Sequence, residues 1–286
     1  PYFGLSNSLQ TAQAGGAGAV GGWVELGRTT LGSAGDTIDV TSLPDKRYYM
    51  TLVDQKATGS TNHSFRLNGD TGTNYAQRAK PDGLTEYTLP TTTSLLATWG
   101  SAVTTNAFHI GYFANLSTKE KLAQIWNVQQ KTAGAGTAPS RQEGVGKHAQ
   151  TTNPISAISL TNTDAGDYAI GSEVVVLGWD PADTHTTNFW EELASVDASG
   201  SSSTMDTGSF TAKKYLWIQA YVSGSGTGSE TNLDMGLQFN SDTATNYSDR
   251  LSSNGASDGT SHTRSNLEFM HDRATAYTGG RWTNGF

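Results

Sequence analysis

Hydrophobic residues in this chain alternate with polar ones over short runs, and they almost nowhere recur at helical spacing. Phe65 and Leu67 alternate with Arg66 and Asn68, a period of two that predicts a strand with one face on a core. Phe108, Ile110 and Tyr112 keep the same rhythm. Tyr48, Met50 and Leu52 interleave with Tyr49, Thr51 and Val53, which predicts a strand buried on both faces, and Glu173 to Trp179 is the most apolar strand of all. A further strand is expected around Ile155 to Leu160. Lys119 to Gln130 fits two periods, with Leu122, Ile125, Trp126 and Gln129 near helical spacing and Ile125-Trp126-Asn127-Val128 suited to a strand; strand is the assignment preferred here. Ser, Gly, Asn and Asp punctuate these runs as tight turns do. The fold class expected is all-β, an antiparallel β-sandwich of jelly-roll-like type.

The pattern occurs twice. Trp23-Val24-Glu25-Leu26 returns as Trp190-Glu191-Glu192-Leu193, and Lys46-Arg47-Tyr48 as Lys213-Lys214-Tyr215. Asn68-Gly69-Asp70-Thr71-Gly72-Thr73-Asn74-Tyr75, followed by Arg78, returns as Asn240-Ser241-Asp242-Thr243-Ala244-Thr245-Asn246-Tyr247 with Arg250, and Thr105-Asn106-Ala107-Phe108 as Thr283-Asn284-Gly285-Phe286. Order is kept while the offset drifts, as loop insertions would make it. Three regions follow: an N-terminal arm over 1–22, a first sandwich module over 23–181, and a second, homologous module over 186–286. Tyr48 and Tyr215 are expected in equivalent strands, Asn74 and Asn246 in equivalent turns, and the two Trp-to-Leu blocks in like structures. Because the second copy lacks counterparts of the later strands of the first, the natural protein is expected to continue by about 70 residues past Phe286.

Charge and composition narrow the function. A net charge of -8 argues against nucleic-acid binding, which needs a basic face. Charged residues are only 15%, against 33 glycines, as suits short strands and turns. The absence of cysteine points to folding in a cytoplasm or to stability from oligomerisation. No apolar run approaches the roughly 18 residues that span a bilayer, so no membrane partner is expected. Tyr2, Phe3 and Leu5, ahead of the Gly-Ala tract from Ala14 to Gly22, read as a docking arm.

Candidate chemistry is sparse. Asp70, Asn74 and Tyr75, repeated as Asp242, Asn246 and Tyr247, bear three readings. The first is a turn in which Asn and Asp cap backbone groups, Tyr packs and Arg pairs with Asp; the second is a sugar contact; the third is a calcium site, for which the full alternation of ligands is missing. Gly144 to His148 lacks the spacing of a phosphate-binding loop, and the histidines, His63, His109, His148 and His271 among them, lack metal-ligand spacing. Glu191-Glu192 and Asp164 with Asp167 are the carboxylate pairs a glycosidase would use, but solvated turn positions explain them as well. His271-Asp272 stands without a nucleophile signature. No catalytic residue, cofactor or metal is assigned.

Gly22 to Arg28, Leu43 to Tyr49, Asn68 to Tyr75, Lys119 to Leu122, Ala133 to Pro139 and Gly171 to Gly178 carry a resemblance that covers nearly all of the first module. In these blocks the chain resembles virion structural proteins of tailed bacteriophages, particularly marine ones. The resemblance implies a non-enzymatic component of the phage particle, in a decoration, fibre or appendage role. It would be assembled in the host cytoplasm and exposed on the virion, with other virion proteins as partners. Symmetric particles favour a homo-oligomer, with a trimer expected. The alternative is a carbohydrate-binding adhesin or receptor-binding protein that recognises a host surface glycan through aromatics such as Trp99, Trp126 or Trp282.

Overall fold

The computed structural model of the chain describes residues 22–98, 104–198, 200, 202–223, 235–252, 257–270 and 280–285. Its elements are all strands: β1 (Val24–Thr30), β2 (Thr37–Val40), β3 (Tyr48–Gln55), β4 (His63–Leu67), β5 (Tyr75–Pro81), β6 (Tyr87–Thr92), β7 (Leu95–Leu96), β8 (Ala107–Ala114), β9 (Lys121–Gln129), β10 (Ser140–His148), β11 (Ile158–Asn162) and β12 (Glu173–Trp179). They continue with β13 (Ile218–Ser223), β14 (Met235–Leu237), β15 (Tyr247–Leu251), β16 (Gly259–Arg264), β17 (Leu267–Met270) and β18 (Gly280–Gly285). Two compact units result, one of residues 1–190 with 250–260 and the other of residues 191–249 with 261–286.

In the first unit an eight-stranded sheet runs β1-β12-β3-β8-β9-β10-β5-β6 and a four-stranded sheet runs β2-β11-β4-β7, every described pairing being antiparallel. Period two sends alternate side chains of each sheet into a shared core. Ile38, Phe65, Leu67, Leu95, Ile158 and Leu160 come from the small sheet, and Tyr49, Val53, Phe113, Ile125, Val174 and Val176 from the large one. Phe65 meets Phe113 edge to face at 5.8 Å across the layers. Each such burial contributes about 1.5–3 kcal/mol relative to exposure. Met50, Leu52, Val175 and Leu177 point to the other side of the large sheet and are buried too, which accounts for the unbroken apolar runs of β3 and β12.

The ambiguous stretch before Gln130 is a strand, β9, in which buried and exposed positions alternate throughout. Its first residue, Lys121, is buried. Burial lowers the pKa of its ammonium, which donates to the carbonyls of Leu116, Lys119 and Gln150 at 2.9, 2.8 and 3.1 Å.

The later strands repeat pairings of the earlier ones. β13 pairs with β18 as β3 does with β8, β14 with β17 as β4 with β7, and β15 with β16 as β5 with β6. Ser64 faces Leu96 and Phe65 faces Leu95; 172 positions on, Gly236 faces Glu268 and Leu237 faces Leu267. Two expectations fail. Val24 to Leu26 lie in β1, whereas Trp190 to Leu193 lie in no strand, and Tyr215 precedes β13 although Tyr48 opens β3. In the first unit both blocks are held by β12, through Val24 opposite Gly178 and Tyr48 opposite Trp179. Among the described residues no strand stands beside Trp190 to Leu193 or Tyr215 as β12 stands beside β1 and β3.

Candidate functional site

Asp70 to Tyr75 closes on itself. Asn68 and Gly69 take left-handed φ values of 56° and 66°, which turns the chain back after β4. Asp70 Oδ1 accepts from the Gly72 amide at 2.8 Å and Oδ2 from Asn74 Nδ2 at 2.8 Å. The Tyr75 hydroxyl accepts from the Leu67 amide at 3.1 Å and donates toward the carbonyls of Asp70 and Leu67 at 3.1 and 3.3 Å. The second copy repeats each bond. Ala244 N and Asn246 Nδ2 donate to Asp242 at 2.9 and 3.0 Å, and Tyr247 binds the Phe239 amide and the carbonyls of Asp242 and Phe239.

One contact of the first copy has no counterpart among the described residues of the second: His148 Nε2 sits 2.7 Å from Asp70 Oδ2, with the His148 ring stacked on Tyr75 at 4.4 Å. Partial burial pushes the Asp70 carboxyl up, but hydrogen bonds from His148, Asn74 and Gly72 together outweigh it and hold the pKa below the ordinary carboxylate value. Asp242 is held low by Asn246 and the Ala244 amide. Donors thus occupy the oxygens that a cation would need. Among the described residues no group of three or more His, Asp or Glu side chains is placed to hold a metal ion. The arginines of the motif do not pair with its aspartates: Arg78 binds Glu86 at 2.5 Å, and Arg250 donates to the Pro139 carbonyl at 2.7 Å and lies 3.4 Å from Asp82.

The other sequence candidates scatter. Gly144 to His148 belong to β10, a regular strand rather than a phosphate loop. Asp164 accepts from Ser60, 104 residues away, at 2.5 Å, and Glu191 pairs with Lys213. Tyr2, Phe3, Leu5, Trp99, His271 and Asp272 lie outside the described residues, and Trp282 stands in β18 opposite Tyr221.

Trp126 is 40% exposed on the outer side of β9, at the end of a chain of rings. Tyr48 stacks on Trp179 at 5.3 Å, Trp179 meets Trp23 and Trp23 meets Tyr112 at 6.4 Å each, and Tyr112 meets Trp126 edge-on at 5.5 Å. Around Trp126 lie Leu122, Val128 and, on β10, Val145, exposed by 57%, 40% and 51%. Alternation in β9 makes this row visible in the sequence, but nothing local tells which side of the strand meets the core.

A buried pair of histidines carried no sequence signal at all. His63 Nδ1 lies 2.7 Å from His109 Nε2, and Thr61 Oγ1 lies 2.9 Å from the other nitrogen of His63. Burial holds both rings neutral, lowering His109 to about 3 and His63 well below 6.5, the latter aided by repulsion from His109. His109 Nδ1, the Tyr168 hydroxyl, Asn127 Oδ1 and the Gln55 amide are likewise buried, with no hydrogen-bond partner. No protein-family profile, curated protein or solved structure matches the chain.

Proposed function

We propose that this chain is a non-enzymatic structural component of a phage particle, built of tandem jelly-roll-like sandwich modules and working by protein–protein assembly. The observation that carries the reading is the outward row Leu122, Trp126, Val128 and Val145. Apolar side chains held in water on a regular sheet face are the mark of a surface that meets another protein. The ring chain behind Trp126 restrains it, so it enters an interface with little side-chain entropy to lose. The rim is polar, with Glu143 and Arg141 opposite Trp126 and Val128 and a Lys147–Glu120 ion pair at 2.8 Å. The resemblance to virion proteins supports the same reading, with further copies of the chain and other virion proteins as partners.

The test is sedimentation of the full chain at micromolar concentration beside Trp126→Ser and Val128→Thr. A trimer is expected for the wild type, with dissociation in the variants at unchanged melting temperature. A wild-type monomer, together with absence of the protein from purified virions, would refute the proposal.

A further inference from the structure

The two sheets of the first unit differ in width, and the difference leaves a cleft. The small sheet ends at β7, which is clamped over β5 where Leu96 N donates to Gln77 Oε1 at 2.6 Å and Gln77 Nε2 donates back to Leu96 O at 2.8 Å. Beyond the clamp, the β5–β6 loop and the neighbouring ends of β9 and β10 border an open cleft of about 490 Å³. That lies within the range of roughly 300–1,000 Å³ typical of small-molecule sites. Leu84, Tyr87, Gln129 and Lys131 are among the residues that line it, and Gln142 lies beside Tyr87, to which it hydrogen-bonds. Lys131 and Asp82, also in the lining, have left-handed φ values of 59° and 49°, a conformation that tends to gather at binding sites.

We infer that this cleft binds a saccharide unit. A pyranose offers a flat C–H face and a rim of hydroxyls, each both donor and acceptor. The Tyr87 ring together with the Gln129 amide, which also both donates and accepts, complements that pattern. Most of the charged groups at the cleft are already paired. Arg141 is committed to Asp258 through two bonds of 2.9 and 2.8 Å. The Asp82 carboxylate accepts from the Ser140 hydroxyl and the Arg141 amide. Lys131 is left as the lining cation without a carboxylate partner among the described residues. Gln129 in the cleft and Trp126 and Val128 in the outward row face opposite sides of β9, and Arg141 borders both. The inference therefore stands whether or not that row assembles.

The experiment is a titration of the full chain with maltose, lactose, chitobiose and a glucuronic-acid disaccharide, followed by saturation transfer to the sugar and by amide shifts in the protein. At least one probe is expected to saturate, with shifts centred on Gln129, Lys131 and Gln142. Gln129→Ala is expected to weaken binding by roughly tenfold or more, since it leaves sugar hydroxyls unpaired. Trp126→Ser should leave binding unchanged. No saturation by any probe, or shifts centred elsewhere, overturns the inference. Should Gln129→Ala fail to fold, the wild-type shift map and Lys131→Ala decide it alone.

Discussion

At the scale of single residues, the two copies of the Asn-Asp-Tyr turn form an internal control. Both place two consecutive residues at left-handed φ, but the first uses Asn68 and Gly69 and the second Asn240 and Ser241 at 55° each. A side chain in that region costs about 1 kcal/mol. Ser241→Gly should therefore stabilise by about 0.5–1 kcal/mol and Gly69→Ala destabilise by about 1–2 kcal/mol, measured by urea denaturation. This turn was legible in the sequence because the bonds its two copies share are local. The buried histidines were not, since His63 and His109 are brought together by two sheets meeting. They set an acid limit: below pH 6.5 the unfolded chain binds protons that the folded His109, with its pKa near 3, refuses. Stability is thus fully present above pH 6.5 and falls as pH drops from there toward 3. The melting temperature should decline between pH 7 and 4, less steeply in His109→Gln; an unchanged slope in that variant would contradict the assignment. Asp70, held below the ordinary value, adds its own loss only at still lower pH.

Among the elements, β9 departs most from common strand grammar. Leu122, Trp126 and Val128 face outward while Lys121, Asn127 and Gln129 face inward. The period of two was readable, but the side was not, because a strand's facing is decided by its neighbours β8 and β10. Lys121 is tolerated inside only because three carbonyls receive its protons. Lys121→Met should cost about 1–3 kcal/mol by leaving those acceptors buried and unpaired, observable as a lowered denaturation midpoint with an unaltered slope. Trp190 to Leu193 teach the converse. A block that forms a strand beside β12 in one setting forms none in another, so strand identity here is conferred by pairing as much as by residue type.

Across the whole molecule the two units differ in how much they bury. Among the described residues, Tyr247 is the one buried hydrophobic side chain of 191–249 and 261–286, whereas the first unit holds a continuous core from Ile38 to Val176. Amide exchange should accordingly be slowest in β3 and β12 and far faster in β13 to β18, as hydrogen-exchange mass spectrometry would read. Fold class was accessible from alternation and turn residues alone. The order of strands in the large sheet was not, because β12 enters between β1 and β3 from more than a hundred residues away.

That insertion governs the order in which the chain acquires its structure during synthesis. The turn between β4 and β5 closes within a few residues and can form on the microsecond scale of hairpins, and β3 can meet β8 while the rest of the sheet is still unmade. Thr30 cannot meet Glu173 until β12 has left the ribosome, about 140 residues later. Until then Met50 and Leu52 on β3 have an unpaired edge beside them, and it is in this interval that a growing first unit is most open to pairing with the wrong chain.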